Sequence, residues 1–441
     1  MTIGIGLLGL GTVGAGVAEI LATPRGRHPL VGKLALRRVA VRNLNRPRPV
    51  QLDPALLCTD PTAVVDDPAV DIVVEVMGGL EPARSLILRA IAAGKPVVTA
   101  NKAVIARHGE EIATAAAARG VYVLLEAAVG GGIPIIEPLK QSLGANRIQR
   151  VSGIINGTTN YILSRMASEG ADYGAVLADA QRLGYAEADP AADVQGGDAA
   201  DKIAILTGLA YGGSVPREAI PTEGIDRLDA RDVAYADQLG FVVKLLAVSQ
   251  RIDPADGSPS GDDTQWLDVR VHPTLVPRSH PLAGVNGVNN AILVEGEPVG
   301  QVMFFGPGAG AGPTASAVVA DILNIAGIRE ACHQLEGAGL DPLLAAGSWR
   351  QCRLVDGAQT THRNYVRLRT SDEAGVIGHI GTCFGEAGVS IQSIVQFEAD
   401  SEAAEIVVIT HEVLEADFRQ ALAAIEALPE VVGVAACLRT L

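Results

Sequence analysis

Between residues 180 and 206 the chain reads AQRLGYAEADPAADVQGGDAADKIAIL, where Glu187, Asp189, Asp193, Asp198 and Asp201 surround one lysine, Lys202. An ammonium group among carboxylates can exchange a proton with a substrate oxygen, and acids beside it can hold an ammonium-bearing substrate. The elements that must position these groups are legible around them. Gly184 closes one helix, Pro190 breaks any continuation, and Gly196-Gly197 turns the chain into a second helix from Asp198, with Ile203, Leu206 and Leu209 on its apolar side. Asp198 and Lys202, four residues apart, share a face of that helix. The same spacing fits a solvated pair contributing a few tenths of a kcal/mol. The apolar run behind the pair and the acid-rich, turn-rich loop before it favour a functional site.

A second chemistry sits at the N-terminus. Residues 3–8 form an apolar run ending in Gly9-Leu10-Gly11-Thr12-Val13-Gly14, followed by a helical pattern. This is the strand, glycine turn and helix of a dinucleotide-binding unit: Gly9 permits the tight turn, Gly11 lets the backbone approach a pyrophosphate, and Gly14 allows close helix packing. After the next strand, at residues 36–41, Arg42 stands where an acid would select NAD, with Arg46 close behind. That favours a 2′-phosphate, hence NADP over NAD, although a surface arginine is the plainer alternative.

Further βα units follow, with strands at residues 71–76, 96–99 and 121–126 and helices at 86–93 and 110–119. The alternation predicts a mostly parallel sheet. Lys102 falls just past a strand's C-terminal end, where open α/β sheets bind ligands, or is simply a helix-start lysine. The run from Glu126 through Val129, Gly130, Gly131, Gly132 and Ile133 to Pro134 leaves backbone carbonyls uncovered, suited to an ion or ligand, or is merely a bend. A strand at residues 151–155, a donor-rich loop at 156–160 and a helix from Tyr161 come next. Segments at residues 241–251, 266–272 and 291–305 read as strands of a second, largely antiparallel sheet, and residues 253–263 as a polar hairpin tip. The turn containing Gly308 and Gly310 opens a long helix through Ala326 that returns the chain to the nucleotide domain.

The C-terminal residues read as strand (365–370), helix (375–386), strand (389–397), strand (405–410), helix (416–428) and strand (431–438). The order βαββαβ is ferredoxin-like. The expected organisation is an α/β chain: a Rossmann-type domain over residues 1–135 completed by 307–340, an α+β substrate and dimerisation domain over 136–306, a linker over 341–362 and a regulatory domain over 363–441. A length of 441 residues accommodates this. With 35 Lys and Arg against 50 Asp and Glu, and no basic cluster, a nucleic-acid partner is excluded. No apolar run reaches eighteen residues and no leader precedes the first strand, so neither a membrane span nor export is expected, and the location is cytoplasmic. The five scattered cysteines contain no CxxC and read as reduced core residues.

These motifs together resemble the homoserine dehydrogenase family over nearly the full length. The carriers are GLGTVG at 9–14, TANKA at 99–103, EAAVGGGIP at 126–134, GIINGTTNYIL at 153–163 and, most specific, GYAEADPAADVQGGDAADK at 184–202. The C-terminal unit resembles an ACT domain, with Gly388 at the turn where such domains place a ligand-facing glycine. The resemblance implies reversible hydride transfer between NAD(P)H and L-aspartate 4-semialdehyde, giving L-homoserine on the route to threonine, methionine and isoleucine. It further implies that Lys202 is the proton donor and acceptor, that Glu187 and Asp198 hold the substrate amino group, and that Gly184 supplies backbone contacts. Lys102, Gly308 and Gly310 would join the glycine turn and Arg42 at the cofactor, NADP(H) in preference to NAD(H). Glu126 and the carbonyls of Val129, Gly131 and Ile133 would hold sodium. A homodimer or homotetramer with an amino-acid effector such as threonine is implied as well. The competing readings are another NADP-dependent aldehyde or hydroxy-acid reductase, and a non-catalytic amino-acid sensor, which would have lost Lys202 or a carboxylate.

Overall fold

The computed structural model describes residues 2–252, 266–334, 357–359, 361–400 and 403–440. The expected hairpin tip at 253–263 and most of the expected linker at 341–362 lie outside the described residues. The chain divides into two compact units, Met1–Ala346 and Gly347–Leu441.

The first unit begins with β1 (Ile3–Leu8), α1 (Thr12–Ala22), β2 (Leu34–Ala40), β3 (Leu57–Cys58), α2 (Pro61–Val65), β4 (Ile72–Glu75), α3 (Ala83–Ala92), β5 (Val97–Thr99), α4 (Lys102–Arg119) and β6 (Val123–Leu124). The sheet runs β3-β2-β1-β4-β5-β6, all parallel. That is the order of a dinucleotide-binding fold. Every residue of β1 is buried because helices cover both faces of the sheet. Ile5 and Leu7 meet Val17 on one side, and Leu8 joins Val73, Ile87 and Val104 on the other.

A second, antiparallel sheet follows. Its strands are β7 (Arg147–Ile154), β8 (Phe241–Arg251), β9 (Leu267–Pro277), β10 (Asn289–Glu297) and β11 (Gly300–Pro307), ordered β11-β10-β7-β8-β9. Between β7 and β8 lie α5 (Gly157–Glu169), α6 (Tyr173–Arg182), α7 (Ala191–Val194), α8 (Gly197–Tyr211) and α9 (Ala230–Gln238). Ile203 and Leu206 of α8 share a core with Val151, Val243, Leu245 and Ile292 of the sheet, so the helix bearing Lys202 is anchored along its apolar side.

From β11 the chain enters α10 (Ala311–Gln334). By length and composition alone this helix could cross a bilayer, although Pro313 and Asp321 interrupt its apolar run. Its Ala315, Val318, Ile322 and Ile325 instead pack with Ile3, Ile5 and Val17 in the nucleotide unit. A Cβ on Gly16 of α1 would lie 2.8 Å from the Ala311 carbonyl oxygen, so the two helices touch backbone to backbone.

Two helix starts differ from expectation. The helix α4 begins at Lys102 rather than 110, because Asn101 caps it by accepting from the Val104 amide. The donor-rich loop at 156–160 is the first turn of α5, capped by Asn156 through the Thr159 amide at 2.8 Å. Its threonines have low helix propensity, which hid the turn. Of the cysteines, Cys58 and Cys383 are half-buried and Cys437 is exposed, so none of these three is a core residue.

The second unit is built from β12 (Thr361–Ser371), α11 (Val376–Glu386), β13 (Ile391–Asp400), β14 (Ala403–Thr410), β15 (Val413–Leu414), α12 (Glu415–Glu426) and β16 (Val431–Thr440). Its main sheet runs β13-β14-β12-β16, all antiparallel, with Phe384, Phe418 and Ile425 of the helices packed on Val366, Leu368, Ile406 and Val408. The βαββαβ order holds, with the short β15 added beside β12. Its first strand begins at Thr361, ahead of the expected boundary at 363.

Candidate active site

Lys202 lies one turn into α8 and is buried, 8 % exposed. Its Nζ donates to Asp198 Oδ2 at 2.7 Å and to the Ile155 carbonyl at 2.6 Å. Asp198, in the first turn, sits where a carboxylate is favoured by the helix N-terminus. Its Oδ1 pairs with a second ammonium, that of Lys102 at the start of α4. Asn156 completes the cluster, donating from Nδ2 to Asp198 Oδ2 at 3.0 Å and to Asp193 Oδ1 at 2.8 Å. Thr158 Oγ1 reaches the Tyr185 carbonyl at 2.6 Å and Asp193 Oδ2 at 3.2 Å.

The sequence suggested five acids facing one lysine, but the structure places two lysines on one acid. Asp201 turns away to Arg217, at 2.6 Å, and to Arg107. Glu187 and Asp189 are exposed and touch neither lysine. Asp198 is fully engaged by Lys202, Lys102 and Asn156. Asp198 thus already accepts from three donors, whereas the Glu187 carboxylate makes no bond among the described residues. Gly184 ends α6 in a left-handed conformation, φ +77°, near the loop that carries Glu187.

Electrostatics separate the two lysines. Burial pushes the Lys202 ammonium below the ordinary lysine range, reinforced by Lys102 and opposed by Asp198. Burial acts on Lys102 the same way, but Asp198 outweighs it and its pKa rises. Burial alone would raise the Asp198 carboxyl; the two ammonium groups and Asn156 reverse this and hold it well below the usual carboxylate range.

The glycine turn opens onto a cleft of about 940 Å³ lined by Gly9, Leu10, Gly11 and Thr12, by Val76, Met77 and Gly78 after β4, and by Arg42 and Arg46 after β2. The residues fit a dinucleotide. Gly9 takes φ +103°. Gly11 has open space where a Cβ would project, and a Cβ on Gly14 would lie 2.2 Å from the Gly9 carbonyl oxygen. Arg42 and Arg46 are exposed and make no bond among the described residues, ready for an anion. Val13 lies in the following helix outside the lining, as does Gly14, and Lys102 faces Asp198 instead. From the α10 turn the lining takes Ala311, Gly312 and Ser316 rather than Gly308 and Gly310. At Gly308 a Cβ would lie 2.0 Å from the Asn290 side-chain amide nitrogen, so the backbone there passes close to Asn290.

The proposed cation loop is held at both ends. The Glu126 carboxylate accepts from the amides of Ile135, Ile136 and Glu137 at 2.6 to 2.8 Å, and its own amide donates to Asp321 Oδ2 at 2.8 Å. The Glu126 side chain is thus committed to backbone. The carbonyls of Val129, Gly131 and Ile133, all buried residues, accept no hydrogen bond among the described residues. Asp321 leaves Oδ1 buried without a partner, and burial, with Glu126 beside it, pushes its carboxyl up to about 8. Uncovered carbonyls in a region short of positive charge fit an alkali cation held by backbone oxygens. The described residues include no group of three or more His, Cys, Asp or Glu able to hold a metal.

A nucleotide cleft over a parallel sheet, with the buried Lys202 of α8 joined through Asp198 to the half-buried Lys102 of α4, defines a nicotinamide-dependent oxidoreductase. Residues 9–126 match the family model described as homoserine dehydrogenase, NAD binding domain, residues 134–323 that of homoserine dehydrogenase, and residues 364–430 the ACT domain. A homoserine dehydrogenase of Synechocystis sp. is 58% identical over 441 residues, all of both chains, and one of Corynebacterium glutamicum is 42% identical over 99% of this chain and 95% of its own. The crystal structure of a homoserine dehydrogenase from Thiobacillus denitrificans superposes with a TM-score of 0.69 at 42% identity, covering 100% of this chain and 98% of that one. A hyperthermophilic archaeal homoserine dehydrogenase in complex with NADPH matches at 27% identity and a TM-score of 0.60, over 77% of this chain and 100% of its own. The chain belongs to the homoserine dehydrogenase family.

Sequence reasoning missed Asn156 as the residue joining Asp193 to Asp198, and Asp321 behind the cation loop. Asn156 lies 42 residues from Asp198 in the chain, and Asp321 lies 195 residues from Glu126. Only the density of donors in Asn156-Gly157-Thr158-Thr159-Asn160 hinted at the first.

Proposed function

We propose that Lys202 supplies and retrieves the proton at the substrate oxygen in the reversible reduction of L-aspartate 4-semialdehyde to L-homoserine, with Lys102 as the second, permanently charged group. The observation that carries this is a buried Asp198 shared by two ammonium groups of unequal acidity. The bound nicotinamide supplies or accepts the hydride. Hydride arrival leaves an alkoxide; the Lys202 ammonium, weakened by burial, gives it a proton, while Lys102 keeps the site positive. Asp198 orients both amines, and Glu187, whose carboxylate makes no bond among the described residues, receives the substrate's α-ammonium. Lys202→Ala should lower kcat by about 10²-fold or more with NADPH binding retained, the usual size of a general acid-base contribution. An unchanged kcat removes the assignment.

For the cofactor we propose NADP(H) in preference to NAD(H), because Arg42 and Arg46 flank the cleft where a 2′-phosphate would project. Arg42→Ala should raise KM for NADPH several-fold more than KM for NADH; equal changes in paired measurements would count against it. The carbonyls of Val129, Gly131 and Ile133 are assigned to a monovalent cation, sodium first. An amino acid, with threonine foremost, is assigned to the ACT unit, and the enzyme is read as a cytoplasmic homodimer or homotetramer.

A further inference from the structure

We propose that Glu75 is a positioning residue that locks one wall of the cofactor cleft to Lys102. Glu75 ends β4 and is fully buried, 0 % exposed. Its Oε1 accepts from the Met77 amide at 2.8 Å and its Oε2 from the Thr99 hydroxyl at 2.7 Å. Thr99 Oγ1 in turn accepts from the Asn101 amide at 3.0 Å, and Asn101 Nδ2 donates to the Gly79 carbonyl at 2.8 Å. These four bonds close a ring through the backbone of residues 77–79.

Two features of the ring matter for the reaction. Val76, Met77 and Gly78 line the cofactor cleft, and Gly78 and Gly79 both take positive φ, +73° and +77°. Consecutive left-handed glycines have no side chains to pack, so the shape of this wall rests on the bonds to the Met77 amide and the Gly79 carbonyl. On the other side of the ring, Asn101 caps α4 and so fixes the first helical residue, Lys102, whose Nζ pairs with Asp198. Glu75 thereby sets the place of the cofactor wall and of one substrate-side ammonium at once. It touches neither ligand in this role and acts through Thr99 and Asn101.

The proposal rests on the reading of Lys102 as part of the active site. In Glu75→Gln the Oε1 can keep the Met77 amide, but the Nε2–H then faces the Thr99 hydroxyl, which can accept it only while losing the acceptor for its own O–H, so the ring loses one of its two carboxylate acceptors. Thr99→Val removes the relay at constant shape, and Thr99→Ser keeps it. A shift of about 1 Å in a positioned group can cost about 10²-fold in rate. In the full-length enzyme, E75Q and T99V are expected to lower kcat by about 10- to 100-fold and to weaken NADPH binding measured by fluorescence, with melting temperatures close to wild type. T99S should recover most of the T99V loss, and E75Q added to Lys102→Met should lower kcat at saturating NADPH little further, because the share of its effect that runs through Lys102 is already lost, while the weaker NADPH binding through the cleft wall persists. A normal kcat in T99V, or E75Q and K102M effects that multiply, would overturn the proposal. If E75Q does not fold, T99V with T99S and K102M carries the same test. A K102M enzyme with wild-type kcat would instead show that the underlying reading of Lys102 is wrong.

Discussion

Lys202 and Lys102 carry the same functional group and differ only in surroundings, and the proposed proton-transfer role of Lys202 rests on that difference. With Lys202 as the proposed proton donor, reduction needs its ammonium, so kcat for reduction should hold at lower pH and fall as pH rises through a pKa depressed below the ordinary 10.5. Oxidation of homoserine needs the neutral amine and should rise across the same interval. Asp198 is the main group holding the Lys202 proton on. Asp198→Asn should therefore move the alkaline limb of the reduction profile to lower pH, besides lowering its plateau. A limb that stays in place in kcat–pH profiles of the two enzymes would mean that Lys202 is not the titrating group. At this scale the sequence was informative where partners are local. Asp198 and Lys202, four apart, are bonded as their spacing implied. Nothing local said that Lys102, 96 positions before Asp198, would take the other oxygen, nor that Asp201 would leave for Arg217.

Helices and strands reveal themselves by period, and a residue that breaks the period inside an element escapes that reading. The strand β8 reads as an apolar run through FVVKLLAV, and its Lys244 gives no hint of being 2 % exposed. Its ammonium donates to the Val285 carbonyl at 2.5 Å and to Asn160 Oδ1 and Asn286 Oδ1 at 3.1 Å, tying β8 to the start of α5 and to the segment before β10. All three partners are neutral, and burial pushes the amine down to about 8 from 10.5. The folded chain thus binds this proton less tightly than the unfolded chain, and stability gains as pH rises from about 8 toward 10.5. Wild type should gain on Lys244→Met over that window, by up to roughly 3 kcal/mol at 1.36 kcal/mol per pKa unit. Urea melts of both proteins at pH 7 and pH 10 measure the gap; a gap independent of pH would show that Lys244 keeps its proton throughout. The parallel sheet, the antiparallel sheet and the βαββαβ unit were all legible from period and turn residues. The starts of α4 and α5 were not, because an asparagine cap and threonines in a first turn look like loop until the capped amides are seen.

Across the whole molecule, the residues assigned to the reaction and those of the C-terminal unit are separate sets. Lys202, Asp198, Lys102, Asn156, Glu187 and the glycine turn all belong to the unit Met1–Ala346, and the ACT unit, within Gly347–Leu441, contributes none of them. The ACT unit has its own core, in which Phe384, Phe418 and Ile425 close one face of a four-strand antiparallel arrangement. If such a unit regulates catalysis through an amino acid, it does so by binding that ligand with different affinity in two states of the enzyme. A coupling of about 1 to 3 kcal/mol corresponds to a roughly 5- to 150-fold change in apparent affinity. A chain ending at Ala346 should therefore remain folded, retain kcat within a few-fold, and lose any response to threonine that the full-length enzyme shows. If the unit serves only assembly, truncation should change the sedimentation coefficient while the full-length enzyme ignores amino acids. Titrating threonine, methionine, isoleucine and lysine into the full-length assay, with calorimetry alongside, separates the two. Absence of both kinetic effect and binding heat for all four would withdraw the assignment of these effectors and leave the dehydrogenase chemistry of the first unit as it stands.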